Sequence, residues 1–361
     1  GVRVPAGASS VGLVVPVTEN FTSEAPLHPA AREALLAAFD QGWADPKKLS
    51  QSSARAGILR NQAIENIATR LGLRPDAIEV LGEPSLGPYL AIAGILDPSK
   101  LLAYASIDKG KIRAVARAHT GATLEIPVDS FGALLLQDTI EEGAVLSLQL
   151  ANAETGVLQD YQSLASKFSM VALDATTSGP RLTLPEHWTT ALFDSLSWSG
   201  PSGLAILAIN SPSEYSYPLP RIAPIKSPGS YSLPLLIASS IALENFQIED
   251  AALRQYAISQ ISAVTSCKVV AQEVVALPHL LSVVVSGVSG EYLVREMALR
   301  GVDVDSGSAC TPEDLQPSHV LAAMGYSTQG HLRITLHKET SRTNIDHLVS
   351  TIEAVASNLR R

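Results

Sequence analysis

The stretch AVLSLQLANAETGVLQDYQSLASKFSMVALDATTSGPR, residues 144–181, decides the fold. Its two short apolar runs, at 144–150 and 170–173, are typical of buried strands, and polar and loop-forming residues separate them. Similar apolar runs occur at 101–105 and 203–209, again with helical or loop segments between them. Strands that alternate with helices predict an α/β fold, in which a mostly parallel sheet is covered on both faces.

The residues that follow these strands are the first candidates for function. Ligands of open α/β sheets bind beyond the carboxyl ends of the strands. Asp174 comes directly after the run 170–173, and a carboxylate at that edge can hold a cationic ring nitrogen. Taken alone, an aspartate at this position is better explained as a loop or N-cap residue.

The chain predicts two domains, because 361 residues are too many for one compact core. A long apolar helix over 233–246 leaves the predicted sheet, and after it the pattern changes to a mixture of short strands and amphipathic helices. The predicted limits are 19–244 for a large α/β domain, and 1–18 with 245–361 for a smaller α+β domain.

Composition excludes several function classes. Apolar residues make up 46% of the chain and charged residues 17%, which is enough to build a large core. The net charge of −9 and the lack of a basic stripe argue against a nucleic-acid partner. No apolar run is long enough to span a bilayer, and we expect no membrane association. Only two cysteines occur, Cys267 and Cys310, so we expect no disulfide framework, no metal site and a cytoplasmic location.

Two residues of the second domain are also candidates. Cys310 lies in a glycine- and serine-rich loop ahead of a predicted helix, where a thiol can have a lowered pKa and act as a nucleophile. The alternative is a small buried hydrophobe. Arg333 lies between apolar neighbours in a predicted strand and needs a carboxylate partner, either from a ligand or from a structural salt bridge.

Four segments, taken in order, resemble a known family. They are ANAETGVLQD (151–160), LDATTSGPR (173–181), SGSACTP (306–312) with PSHVLAAMG (317–325), and LRITLHKET (332–340). They resemble segments of the cysteine desulfurases, which are pyridoxal-phosphate (PLP) enzymes of the class V aminotransferase family. The resemblance runs from about Phe21 to the end of the chain and implies the PLP-dependent transferase fold type I.

The resemblance implies a role for each matching residue. Asp174 matches the aspartate that pairs with the PLP ring nitrogen. Cys310 matches the thiol that accepts sulfur as a persulfide, and Arg333 matches the arginine that binds the substrate carboxylate. A family glutamine that contacts the ring oxygen is Thr177 here. Asn152 is retained from the family's Asn-Asn-Glu motif, but its neighbour has become Ala153.

The segments that would hold the rest of the cofactor are altered. LGEPSLGPYLAI (81–92) resembles the family's phosphate loop, in which Ser85 keeps the phosphate-binding hydroxyl. Glu83 adds a negative charge beside the phosphate, which opposes binding. The ring-stacking histidine of the family falls at Lys109. SYSLPL (230–235) matches a segment that crosses the dimer interface to the phosphate, and Ser232 keeps the hydroxyl there.

The largest departure concerns the lysine that forms a Schiff base with PLP. The family segment Ser-x-His-Lys, followed by Gly-Pro-Lys-Gly, matches DSLSWSGPSGLAIL (194–207). No lysine occurs between Lys167 and Lys226. Without that amine, PLP has no covalent attachment and the substrate has no base at its α-carbon.

These departures predict a pseudoenzyme with a degenerate PLP site and a binding, scaffold or sulfur-carrier role. PLP is then not covalently bound, or is absent. The alternative is an active PLP-dependent desulfurase, or another class V aminotransferase or lyase, that uses Lys109 or Lys226 as a substitute amine. The family also implies a homodimer, and an active desulfurase or a sulfur-transfer protein is a candidate partner.

Overall fold

The computed structural model describes residues 19–41, 44–137, 140–222, 225–226, 229–306 and 317–358. Its helices are α1 (Pro29–Gln41), α2 (Gln51–Leu71), α3 (Gly87–Ala93), α4 (Gly110–Ala118), α5 (Tyr161–Ala165), α6 (Leu233–Glu244), α7 (Ala251–Ser262), α8 (Gly290–Ala298), α9 (His319–Ala323) and α10 (Arg342–Asn358). Its strands are β1 (Glu19–Phe21), β2 (Ile78–Leu81), β3 (Leu102–Ala105), β4 (Thr123–Ile126), β5 (Val145–Gln149), β6 (Met170–Asp174), β7 (Thr190–Asp194), β8 (Ala205–Ile209), β9 (Arg221–Ile222), β10 (Ile225–Lys226), β11 (Cys267–Val269), β12 (Leu280–Val285), β13 (Val302–Val304) and β14 (His331–Thr335).

The large sheet confirms the predicted α/β fold. Its strand order is β2-β8-β7-β6-β5-β3-β4. Neighbouring strands from β4 to β7 pair in parallel, whereas β8 is antiparallel to both β7 and β2. The sheet is therefore mostly parallel, with two antiparallel pairs at one side.

Strands β5 and β6 come from the stretch quoted at the start and lie side by side. Every residue of β5 is buried, as expected for a strand covered on both faces. Gln149 lies opposite Asp174 in the register, so the two strands end at the same edge of the sheet. That edge brings together Asp174 and the loop that begins after β5.

Helix α6 is apolar around its whole circumference and packs against α1 and α2. Leu236, Ala238 and Ala242 are fully buried there. Helix α1 contributes its small residues to this contact, whereas Leu36 and Phe39 stay 54% and 56% exposed. Leu36 and Phe39 therefore face away from the described core, whereas Leu35 packs partly against it.

A second core lies in the C-terminal part of the chain. Strand β12 pairs antiparallel with β11 and β14, and β1 pairs in parallel with β13. Phe21 of β1 is 1% exposed and belongs to this core, although the predicted limit at residue 19 assigned it to the first domain. The domain limits themselves stay a prediction.

Arg181 joins three segments where the two parts of the chain meet. Its guanidinium forms a two-point ion pair with Glu249, in which the Nε–Oε2 distance is 2.7 Å. It also donates a 2.6 Å hydrogen bond to the carbonyl of Ser197 and lies over the ring of Phe246. Since both side chains of the ion pair are at most 10% exposed, this contact is buried and largely protected from solvent screening.

Candidate functional site

Asp174 lies at the carboxyl end of β6 and is bound by Lys109. The Lys109 ammonium is 3.0 Å from Asp174 Oδ2 and 3.4 Å from Oδ1, and it also contacts the Thr176 hydroxyl. Thr176 donates its amide, at 2.9 Å, and its hydroxyl, at 2.5 Å, to Asp174 Oδ1. Burial raises the pKa of Asp174, but Lys109 and Thr176 outweigh it, so that the pKa is lowered on balance.

In the segment that resembles a phosphate loop, the groups that would bind phosphate are also occupied by a neighbouring side chain. Glu83 accepts hydrogen bonds from both the amide of Ser85, at 3.1 Å, and the Ser85 hydroxyl. These bonds lower the pKa of Glu83. Pro84 supplies no amide donor, so the carboxylate of Glu83 holds the two donors that Ser85 could offer to an anion. The charge repulsion expected from the sequence is therefore joined by direct competition for donors.

Asn152 organises its own loop. It donates to the carbonyl of Ile107 at 3.1 Å, and its Oδ1 accepts from the amides of Glu154, at 2.9 Å, and Thr155, at 3.0 Å. The side chain is 1% exposed, so its hydrogen-bonding groups serve the fold. Thr177 follows Asp174 at the same edge and is half-buried.

Arg333 is paired with an internal carboxylate. Its guanidinium lies 2.9 Å from Asp305 Oδ2, and the backbones of the two residues exchange hydrogen bonds. Asp305 also accepts from the amide of Ser23 at 2.7 Å. The described residues thus give Arg333 the structural partner that the sequence left open. Cys310 lies outside the described residues, so its environment stays a prediction.

The connection from β7 to β8 is tied to the rest of the protein by hydrogen bonds. Ser195 donates to the Ser239 hydroxyl at 2.8 Å, and the Trp198 indole donates to the Ser239 carbonyl at 3.1 Å. Ser197 donates to the carbonyl of Asp194 at 2.7 Å. Trp198 is 1% exposed and fills the space between this connection and α6.

Asp108 is a buried carboxyl group that sequence reasoning missed. It is fully buried, and its Oδ2 accepts from the amide of Ala105 at 2.8 Å. No described group donates to its Oδ1. Burial raises the pKa of Asp108 to about 8, and the nearby Asp174 carboxylate acts in the same direction. The only sequence signal was its position next to Lys109.

A second missed group lies between the two parts of the chain. Glu154 accepts a 2.6 Å hydrogen bond from Ser318, and His331 Nδ1 lies 3.8 Å from the same Glu154 oxygen. His331 Nε2 shares a 2.7 Å hydrogen bond with Ser282. Burial lowers the pKa of His331 to about 4, so the ring is neutral at neutral pH. This cluster joins the loop after β5 to the start of α9.

Ser232 lies at the N-terminus of α6. Its side chain makes no capping hydrogen bond. It borders a cavity of about 910 Å³ whose wall also includes Phe39, Arg60 and Tyr231. Arg60 donates to the Tyr231 hydroxyl at 2.7 Å.

The described residues, as they are arranged, do not fit PLP. Asp174, the partner that the resemblance implies for the ring nitrogen, is bound by Lys109, and the amide and hydroxyl that Ser85 would offer to a phosphate are bound by Glu83. A cavity that touches Asp174 measures about 10 Å³, room for about one water molecule and far less than a pyridine ring. Within the described part of the chain, no group of three or more His, Cys, Asp or Glu residues could hold a metal ion. No described helix has the length and apolar character to cross a membrane.

Comparisons with known proteins agree with this fold. The aminotransferase class-V family model matches residues 228–348. The cysteine desulfurase IscS of Dictyoglomus turgidum is 23% identical over 390 residues, which covers 94% of each chain. A cysteine desulfurase of Sinorhizobium fredii is 29% identical over 266 residues, 65% of this chain and 67% of the relative.

Solved structures show the same architecture. A NifS-like protein superposes with a TM-score of 0.82 at 19% identity, covering 94% of this chain and all of the other. A NifS-like protein from Rickettsia africae gives a TM-score of 0.81 at 17% identity, with 94% and 99% coverage. The chain therefore has the PLP-dependent transferase fold type I, and its sequence is similar to those of cysteine desulfurases among the class V aminotransferases.

Proposed function

We propose that this protein is a pseudoenzyme of the cysteine desulfurase family, with a binding, scaffold or sulfur-carrier role. The observation that carries the proposal is the ion pair between Lys109 and Asp174. By resemblance, Asp174 is the group that should hold the ring nitrogen of PLP. A buried carboxylate that already has a partly buried cation in direct contact has little to gain from a second one.

The β7–β8 connection also supports this proposal. Its segment GPSG at 200–203 matches the family's Gly-Pro-Lys-Gly, so the Schiff-base lysine would fall in the residues just before it. Those residues are Asp194–Ser199, and their only reactive hydroxyls are serines. A serine hydroxyl cannot form an imine, so this segment offers no covalent attachment for PLP.

The pairing of Arg333 also supports the pseudoenzyme proposal. Arg333 would bind the carboxylate of an amino-acid substrate, but Asp305 occupies its guanidinium at 2.9 Å. A substrate carboxylate would have to displace Asp305, which is also held by Ser23. The pairing therefore disfavours substrate binding as well as cofactor binding.

An active enzyme is the alternative, and it requires a substitute amine. Lys109 is poorly placed for this, because its ammonium contacts the group that faces the ring nitrogen. The aldehyde of PLP lies on the ring carbon opposite that nitrogen. The side chain of Lys226 lies outside the described residues, so it stays a candidate only by sequence.

Cys310 gives the pseudoenzyme its remaining chemical capacity. By its resemblance to the family loop, the Cys310 thiolate can take the outer sulfur from a persulfide on another protein, which leaves that protein's thiol free. An active desulfurase or a sulfur-transfer protein is therefore the proposed partner, in the cytoplasm, where thiols stay reduced.

The purified protein is expected to release no sulfide from cysteine and to form no covalent adduct with PLP. A general acid–base group typically contributes 10²–10⁴-fold to a rate. Losing it together with the attachment point should therefore bring turnover below detection. The measurement is a sulfide assay beside borohydride reduction and peptide mass spectrometry, with an authentic cysteine desulfurase as the positive control. A phosphopyridoxyl group on Lys109 or Lys226, accompanied by cysteine-dependent sulfide, would contradict the proposal.

We also propose that the protein is a homodimer, as the family implies. Leu36, Phe39 and Ile58 are 54%, 56% and 60% exposed, and Phe39 borders the cavity beside Ser232. The helices that carry them, α1 and α2, both pack against α6, and exposed large apolar side chains are typical of an interaction surface. A second copy of the chain would cover them.

Sedimentation at micromolar concentration is expected to give twice the monomer mass. Phe39→Asp should weaken dimerisation at least about tenfold, because it places a charge in an apolar contact. Leu299→Asp is the matched control, since Leu299 is 75% exposed and lies in the other part of the chain. A monomer mass for the unmodified protein would rule the homodimer out.

A further inference from the structure

We propose that Lys109 closes the ancestral cofactor site from within: its ammonium takes the place of the charged ring nitrogen as the partner of Asp174. This inference rests on the proposed function only in treating Asp174 as the former ring-nitrogen partner. It adds a further cause for the loss of cofactor binding, beside Glu83 and the missing lysine, and this cause can be tested by changing one residue.

The first support is that Asp174, a buried carboxylate, needs a positively charged partner. Asp174 is 7% exposed and ionised, and a buried carboxylate without a partner is strongly unfavourable. Thr176 supplies hydrogen bonds but no positive charge. In the family that charge would come from the cofactor. Here Lys109 supplies it at 3.0 Å, with its side chain 30% exposed.

The second support is that the backbone holds Lys109 in this position. Lys109 is the residue immediately before α4, and its extended backbone directs the chain into the helix. The residue before it is fixed on both sides: the Asp108 carboxyl accepts from Ala105, and the Asp108 carbonyl is bonded to His319 at 2.9 Å. The lysine is therefore presented to Asp174 by a rigid turn.

The third support is the balance of the other charges that surround the pair. Asp108 and Asp194 are carboxyl groups close enough to influence it, and Lys111 and Arg113 are the other nearby cations. The Arg113 guanidinium is paired with Glu125. Lys111 is exposed and makes no described ion pair with Asp174. Lys109 is thus the cation in direct contact with Asp174 among the described residues.

Removing Lys109 is expected to reopen the site. Lys109→Ala should bind PLP noncovalently at least ten times more tightly than the unmodified protein. This direction is diagnostic, because deleting a cation would by simple electrostatics weaken the binding of an anionic ligand. Lys111→Ala is the matched control, which reports that simple effect and should bind PLP no better than the unmodified protein.

The experiment is equilibrium dialysis and absorbance titration of each variant with PLP, together with urea unfolding to show that each variant is folded. Lys109→Arg should stay closed, since it keeps the charge. If Lys109→Ala does not fold, Lys109→His tests the same point with the side chain that the family carries there. In an Asp174→Asn background, Lys109→Ala should no longer change PLP affinity.

Equal PLP affinity of folded Lys109→Ala and unmodified protein would overturn the inference. So would a gain that persists in the Asp174→Asn background. Sulfide release by the unmodified protein would instead overturn the proposed function. The two failures are therefore separate, because one is measured as a ratio of binding constants and the other as turnover.

Discussion

Asp108→Asn is expected to stabilise the protein by about 4 kcal/mol at pH 7, a large gain for one substitution. The Asp108 carboxyl is fully buried, and its pKa is raised from 3.8 to about 8. At pH 7 the folded protein therefore holds a proton that the unfolded chain releases. Asparagine resembles the protonated carboxyl and can still accept from Ala105, so the variant has no such proton to take up.

The sign of the effect follows from proton linkage. Between pH 3.8 and about 8 the folded state binds more protons than the unfolded state at Asp108. The stability of the unmodified protein therefore falls by about 1.4 kcal/mol per pH unit from this group as the pH rises. Asp108→Asn lacks that slope, so the two proteins should differ little near pH 4 and most near pH 8.

Urea unfolding between pH 4 and pH 8 measures this difference, and it cancels the contributions of other groups such as His331. Asp129→Asn is a matched control, since Asp129 is an aspartate that accepts backbone hydrogen bonds at an exposed position. A difference between Asp108→Asn and the unmodified protein that does not change with pH would show that Asp108 is ionised in the folded state.

Arg181→Met is expected to lower the free energy of unfolding by about 3–5 kcal/mol. The substitution leaves the Glu249 carboxylate buried without its partner, since Arg181 supplies both hydrogen bonds of the pair. It also removes the hydrogen bond to Ser197 and the contact with the ring of Phe246. Urea unfolding measures the loss.

Two further variants show whether the loss in Arg181→Met comes from an unpaired buried charge. Arg295→Met breaks a pair with Glu291 in which both side chains are more than 60% exposed, and it should cost less than about 1 kcal/mol. The double variant Arg181→Met/Glu249→Leu should recover much of the stability, because it leaves no unpaired buried charge. Equal losses for Arg181→Met and Arg295→Met would show that the Arg181 pair contributes no more than a surface contact.

The sheet could be predicted from the sequence because its strands are local apolar runs. Residues 144–150 and 170–173 predicted β5 and β6 to within about one residue. The short strand β4 was missed, because its residues TLEI are half polar and only one of the four is buried. Strand β1 was missed as well, since three residues carry no period and its pairing with β13 joins distant parts of the chain.

The candidate site was harder to predict, because its contacts join residues far apart in the sequence. The resemblance identified Asp174 and Arg333, but sequence alone could not reveal that Lys109 and Asp305 are their partners. In the sequence, Lys109 appears only as the loss of a ring-stacking histidine; the structure shows that its ammonium lies beside Asp174. Asp108 gave no signal beyond its position next to Lys109, since a buried carboxyl differs from a surface one only through its surroundings.

The anchoring of the β7–β8 connection to α6 bears on how this chain could change over evolutionary time. Ser195 and Trp198 both bond to Ser239, and Ser197 lies so close to Gly179 that a side chain there would clash with it. A mutation that restored a lysine in this connection would meet a neighbourhood already rebuilt around small side chains and one tryptophan. Under the proposed function, regaining an active lysine here would therefore need several coordinated substitutions, because Ser195, Trp198 and Gly179 leave little room for a single one.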